Sequence, residues 1–286
     1  MEKTVFFILF FGGIIAGVFG SESDGIFTWK VGKFEVNMLV ETQREGNASI
    51  LVGANDGILS RYIPSIGFMH TANAFLVKAS GKNILIDTGT GFNGVIIEKL
   101  KKLGAAPEKI NVVLITHLHG DHFGGLHNNG KANFPKAKVY VSKAEYNYFT
   151  NTNKNEAAVL ALAAYGKNVI TFDPGALASN LKPLLPGITA FANYGHTPGH
   201  TVFLIENGTD KLIVGGDFLH IALVQFAEPD ISASYDMDPV AAAASRRQIL
   251  DYAAKNKIPI GGMHVVYPGI GMVESLGSGY SFKPLE

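Results

Sequence analysis

The six residues His117-Leu118-His119-Gly120-Asp121-His122 carry three imidazoles and one carboxylate. So many polar rings would make a poor core and an odd surface. Neutral imidazole with carboxylate, however, suits zinc and similar divalent ions. In an extended or turning segment His117 and His119, two apart, can face the same side, and Gly120 lets the chain turn sharply before Asp121 and His122. The same chemistry recurs in Gly195-His196-Thr197-Pro198-Gly199-His200, in Gly215-Gly216-Asp217 and at His264. A bound zinc lowers the pKa of its water to roughly 7, so a metal on these donors would make hydroxide available at neutral pH and predicts hydrolysis at a carbonyl carbon or a phosphorus.

Each piece sits at the edge of an apolar run, where a sheet could bring it to a common rim. Strands are predicted at Phe34–Val40, Asn73–Ala79, Asn83–Ile86, Ile110–Ile115, Lys138–Val141, Ile188–Tyr194, Thr201–Ile205, Leu212–Val214 and Ile258–Gly262. Helical spacing marks Gly94–Leu103, Lys143–Phe149, Glu156–Tyr165 and Pro239–Ala254, the last with Asp238 as N-cap and Pro239 in the first turn. The mixed order suits an α/β sandwich of two sheets with helices outside, although order alone leaves other α/β layouts open. The weakly patterned stretch Glu41–Met69 holds Ile50, Leu51, Val52, Ile58, Leu59 and Ile63. It is expected to be a packed excursion, capping the site or joining two copies of the chain as a homodimer.

With 286 residues, 47% of them hydrophobic, the chain can bury a large core, and one domain over residues 21–286 is expected. The 24 basic and 24 acidic residues cancel, leaving no excess charge for nucleic acid. The absence of cysteine excludes disulfides, thiolate ligands and cysteine nucleophiles. Lys3, the apolar run Val5–Phe19 and the small residues Gly20 and Ser21 read as a signal peptide over residues 1–20, cut near Gly20 or Ala16, with an uncleaved anchor or a buried N-terminal helix as the alternative. Export, with no membrane anchor after processing, is the expectation.

HLHGDH at 117–122, TPGH at 197–200, GGD at 215–217 and the late His264 resemble the metal signature of the metallo-β-lactamase superfamily. That resemblance implies the four-layer αβ/βα sandwich. It also implies one metal on His117, His119 and His200, a second on Asp121, His122 and His264, and Asp217 between them. Zinc is the default ion, with manganese, cobalt and iron open. Asp121 is further implied to relay a proton to the leaving group. Asp87, in LIDTG at Leu85–Gly89, would orient a ligand histidine, or simply cap a turn. His196 is expected to support its loop rather than ligate. His70 and His127 read as ordinary, although His70 precedes a strand and could approach the rim.

LIDTG, VQFAEPD (Val224–Asp230) and HVVYPGIG (His264–Gly271) resemble the branch holding methyl parathion hydrolase and N-acyl homoserine lactonases. Penicillin-degrading members place a cysteine or a non-bridging residue where this chain has Asp217, which disfavours β-lactam substrates. His220 departs from the branch: lactonases of the better-known type have a tyrosine three residues after the bridging aspartate. A histidine donor there favours carbonyl substrates, against the alternative of a structural histidine. Phe92, Tyr148 and Phe149 fall where the family lines its pocket with aromatics, which would hold an acyl chain or aryl group; plain core packing is the competing explanation. The expected function is lactone or ester hydrolysis, with N-acyl homoserine lactones favoured. Phosphotriester hydrolysis, a glyoxalase-type thioesterase and a non-catalytic binding protein are the alternatives.

Overall fold

The computed structural model describes residues 24–177, 179 and 182–286, together with the backbone of two short strands, Phe6–Phe10 and Gly13–Gly17. Apart from those strands, the expected signal peptide lies outside the described residues.

Seven strands form the first sheet: Ile26–Val31 (β1), Phe34–Glu45 (β2), Met69–Ala79 (β3), Lys82–Ile86 (β4), Ile110–Leu114 (β5), Lys138–Ser142 (β6) and Val169–Phe172 (β7). They lie in the order β7-β6-β5-β4-β3-β2-β1. The pairs from β1 to β4 are antiparallel and those from β4 to β7 parallel. The six strands Ile188–Ala192 (β8), Thr201–Asn207 (β9), Asp210–Val214 (β10), Ile260–Gly261 (β11), Ile270–Leu276 (β12) and Gly279–Pro284 (β13) form a second sheet in sequence order.

Side-chain alternation sorts these strands into layers. Along β9, Phe203 and Ile205 enter a cluster with Val36, Phe75, Val77, Ile86 and Leu114 of the first sheet, which is the seam between the sheets. Val202 and Leu204, facing the other way, pack with Ile249, Leu250 and Ala253 of the helix Pro239–Asn256. On the far side of the first sheet, Leu76, Leu85 and Val113 meet Ile96 and Leu100 of the helix Val95–Lys102, and Ala158, Ala161 and Leu162 of Glu156–Ala163. The result is the expected helix–sheet–sheet–helix sandwich. Fully burying one such aliphatic or aromatic side chain stabilises by roughly 1.5–3 kcal/mol, and every layer boundary is lined with them.

Helix Pro239–Asn256 starts as the sequence requires. Asp238 accepts from the Ala241 amide at 3.0 Å, and Pro239 occupies a first-turn position whose missing N–H costs nothing. Its buried positions Ala242, Arg246, Ile249, Leu250 and Ala253 follow the helical repeat. The excursion after β2 is packed. Leu51–Val52 pairs with Ser232–Ala233, and Leu51, Ile58, Leu59 and Ile63 form a small separate cluster with Ile221, Val224 and Ile231. Among the described residues no helix is long and apolar enough to cross a membrane.

Candidate metal centre

Strand β5 ends at Leu114, and the chain then crosses the rim between the two sheets. His119 stays extended, and the short helix Gly120–Phe123 begins directly after it, turning Asp121 and His122 back towards His117. The loop after β8 supplies His196, the loop after β10 supplies Asp217 and the loop after β11 supplies His264. Gly216 adopts φ +57°, and a Cβ there would stand 2.6 Å from the His200 ring, so only glycine admits Asp217 at this place.

Two groups of potential ligand atoms result: His117, His119, His196 and Asp217 in one, and Asp121, His122, Asp217 and His264 in the other. In the first, His117 Nε2 and His119 Nδ1 are 3.1 Å apart, and His196 Nε2 lies 3.1 and 3.0 Å from them. Three nitrogens in mutual contact cannot all be satisfied by protons. Each is a donor or an acceptor, so at least one of the three pairs is like against like. A single cation taking three lone pairs resolves the conflict. In the second group the buried atoms His122 Nε2 and Asp217 Oδ1 have no hydrogen-bond partner although they stand 3.2 Å apart. His264 Nε2 lies 3.1 Å from Asp217 Oδ2 and 3.5 Å from Asp121 Oδ2. The residues therefore fit a pair of divalent ions, with Asp217 common to both groups.

One expected ligand is corrected. His200 donates from Nδ1 to the Asn193 carbonyl at 2.9 Å, and its Nε2 accepts from the Asp217 amide at 3.0 Å. Both ring nitrogens are spent on backbone, so His200 braces the Asp217 loop. His196, expected to support its loop, instead aims Nε2 into the first cluster. Both histidines belong to the same hexapeptide, and spacing alone did not say which one turns inward.

The remaining ring nitrogens are oriented from behind. Asp87 accepts from His122 Nδ1 at 2.7 Å and from the amide and hydroxyl of Thr116 at 2.8 and 2.7 Å, as a ligand-orienting role requires. It does so at φ +57°, a left-handed conformation held by those bonds. His264 Nδ1 donates to the Thr71 carbonyl of β3 at 2.7 Å, so the first sheet aims a side chain from the second.

Burial pushes His117 well below its ordinary pKa and His119 to about 4, leaving both neutral and able to offer lone pairs. Burial alone would raise Asp217, but His122, His264 and His117 outweigh it and hold the carboxyl well below the usual range. Burial likewise opposes charge on His122, and Asp217, Asp121 and Asp87 overcome it and raise its pKa well above normal. His117 and His119 are thus in the neutral form that binds a divalent metal, whereas His122 would release its proton on taking one.

The profile of the metallo-β-lactamase superfamily matches residues 69–257, which span every residue of both groups except His264. The chain belongs to that superfamily. Among relatives, it is 28% identical to an N-acyl homoserine lactonase of a Bacillus species over 157 residues, 46% of this chain and 57% of that one. It spans 56–61% of the lengths of three curated relatives that it matches. Among solved structures, the hydrolase AbOPH of the β-lactamase superfamily superposes with TM-score 0.83 at 27% identity, covering 93% of this chain and 99% of that one. AidC, a dizinc quorum-quenching lactonase in complex with a product, N-hexanoyl-L-homoserine, gives 0.81 at 26% identity, covering 92% and 98%. Superfamily members use divalent metals, which agrees with the donor set found here.

Around this superfamily centre, His220 is buried. Its Nε2 stands 3.3 Å from Asp217 Oδ2, its Nδ1 has no partner, and its ring stacks on His264 at 5.1 Å. His70, read as ordinary, lies against His264 with ring centroids 4.6 Å apart. Phe149 meets His119 edge-on at 6.0 Å and also belongs to the main core, so the pocket and packing explanations both apply to it. Tyr148 lies beside Phe149 at 5.1 Å, and the side chain of Phe92 is outside the described residues. His127 accepts from the Gly130 amide in its own turn, away from the cluster.

Sequence reasoning missed three residues. Tyr235 is 52% exposed, with its ring 5.5 Å from His220. Asp236 accepts from His196 Nδ1 at 2.9 Å. Glu145 is fully buried and accepts from Leu118 N, Thr197 Oγ1 and Gly199 N. Ser142 and Glu145 have the spacing of a helix capping box, a pattern that disguises the carboxylate's second use.

Proposed function

We propose that this hydrolase opens lactone and ester bonds at a centre of two divalent ions, with N-acyl homoserine lactones as the favoured class. The observation that carries the proposal is His220, buried beside the shared carboxylate of Asp217 with an unpartnered Nδ1. Burial lowers its pKa to about 4, so the ring is neutral near pH 7 and carries one N–H, placed on Nε2 at the centre by the facing Asp217 carboxylate. A neutral donor there suits a carbonyl oxygen that gains charge as the bond opens. The names of AidC and of the Bacillus relative support the lactone class.

His117, His119 and His196 would hold one ion and Asp121, His122 and His264 the other, with Asp217 serving both. Zinc is the default, and manganese, cobalt or iron would also fit these donors. Such ions supply Lewis acidity and make the hydrolytic water acidic near neutral pH. Asp121 is the cluster carboxylate open to solvent, its side chain 35% exposed against 2% for Asp217. Despite burial, which opposes ionisation, His122 holds its carboxyl below the normal range, so it is an anion near pH 7. In the proposed step, water adds to the carbonyl carbon and the ring C–O bond breaks. Asp121 takes the water's proton and returns it to the leaving alkoxide, giving the hydroxy acid. Tyr235, 52% exposed beside His220, offers apolar surface near the polar centre for an acyl chain.

The deciding experiment is parallel turnover of an acyl homoserine lactone, an aryl ester, a thioester and a phosphotriester by metal-loaded protein. A higher kcat/KM for the phosphotriester would reverse the proposed order, and binding without turnover of any of them would favour a non-catalytic role. Export is a separate proposal. Mass spectrometry of protein recovered outside the producing cell should find a chain beginning near Ser21.

A further inference from the structure

We infer that Asp236, fixed by the buried guanidinium of Arg246, is a positioning residue that sets His196 to offer Nε2 to the first cluster. It rests on the metal-centre reading above. Asp236 Oδ1 lies 2.9 Å from His196 Nδ1. An ionised carboxylate only accepts, so Nδ1 carries the hydrogen and Nε2 keeps its lone pair. That lone pair faces His117 and His119 at 3.1 and 3.0 Å.

The carboxylate is itself immobilised. Its Oδ2 accepts from the Ala233 amide at 2.9 Å and lies 3.4 Å from Arg246 Nη2. Arg246 is 1% exposed and also donates to the carbonyls of Phe218 at 2.6 Å, Pro229 at 2.7 Å and Ile231 at 2.9 Å. Phe218 directly follows Asp217, so one guanidinium ties the segment bearing the shared carboxylate to the segment that orients His196. Backbone bonds hold the same two segments in register: Met237 N donates to His196 O at 3.1 Å and Asp238 N to Gly195 O at 2.9 Å. A buried arginine that serves only to fill space would not find four acceptors on the loops around one cluster.

The test begins with the metal-free full chain, in which imidazole 15N shifts report the His196 tautomer. A hydrogen on Nδ1 is expected, and a hydrogen on Nε2 alone would overturn the inference without any variant. Chelator competition with zinc, and the visible absorption of cobalt-loaded protein, then compare wild type with Asp236→Asn, Asp236→Ala and Arg246→Lys. Loss of an orienting partner should weaken binding of one ion by about 10–100-fold and change the cobalt band. Asp236→Asn, which keeps the shape and an accepting oxygen, should fall between wild type and Asp236→Ala. Folded variants with wild-type affinity and spectrum would overturn the role. A wild-type chain that takes up no metal would instead overturn the metal centre, and the tautomer measurement keeps the two failures distinguishable.

Discussion

Glu145 accepts a hydrogen bond from the Leu118 amide at 2.7 Å, and its other oxygen accepts from Thr197 and Gly199 at 2.7 and 2.9 Å. One buried carboxylate thus clamps the segment carrying His117 and His119 to the segment carrying His196. Glu145→Ala strands three donors in the interior, at about 1–3 kcal/mol each. The expected loss is at least about 3 kcal/mol, measured as a lower denaturant midpoint. Glu145→Gln should lose less, though it turns an amide N–H₂ towards existing donors. Unchanged midpoints would mean that water replaces the carboxylate.

Asp217 and His220 should separate metal retention from turnover. Asp217→Ala removes the carboxylate common to both ligand groups, so elemental analysis should find metal lost together with most activity. His220→Leu should keep its metal and lose about 100-fold in lactone kcat, the scale of one lost donor to a developing oxyanion. Full lactonase rates in His220→Leu would remove that side chain from the reaction.

Tyr235 offers a test of the acyl-chain pocket. Truncating an aromatic contact worth about 1 kcal/mol raises KM by roughly fivefold. Tyr235→Ala should show that rise for long-chain acyl lactones and little change for short ones, with kcat preserved. Equal effects on both chain lengths would place the chain elsewhere.

Acid titration gives a prediction away from the cluster. Lys30 and Lys78, bonded to Glu35 at 2.7 and 2.9 Å, hold its pKa at about 2 against an ordinary 4.5. A depressed folded pKa means stability present above 4.5 and lost as pH falls towards about 2. The three side chains are all in part exposed to solvent, so salt should shrink the effect. Glu35→Gln should flatten this acid limb at low ionic strength, as followed by unfolding midpoints. An identical acid limb in the variant would assign it to other carboxylates.

Layer order, most strands and three of the four predicted helices were legible because their apolar spacing is the cause of their burial. Thr201–Ile205 needed no more than its alternation. At Lys143–Phe149 the helix ends at Asn147 and continues as a wider π turn over Tyr148–Thr152, a difference in backbone bonding that side-chain spacing does not encode. The strands β1, β7, β12 and β13 were not predicted. Three of them, β1, β7 and β13, edge the sheets, and edge strands bury less of their surface and so show a weaker pattern. Within the site, residue types were legible and ring orientation was not. His196 and His200 differ only in which backbone groups their loop presents to them. Asp236 and Arg246 act through contacts between segments with no fixed sequence spacing, so no local pattern announces them.

The small cluster joining Ile58, Leu59 and Ile63 to Val224 and Ile231 stands apart from the three large apolar clusters of the sandwich. It carries on its edge the pairing of Leu51–Val52 with Ser232–Ala233, two residues before Tyr235. Changes in the 48–68 excursion would therefore bear first on the segment leading to Tyr235, and only through it on the sheets that aim the histidines. Under the proposed function, selectivity and reactivity would be lodged in separate compartments, and a chain built this way could exchange one substrate for another without dismantling its catalytic floor.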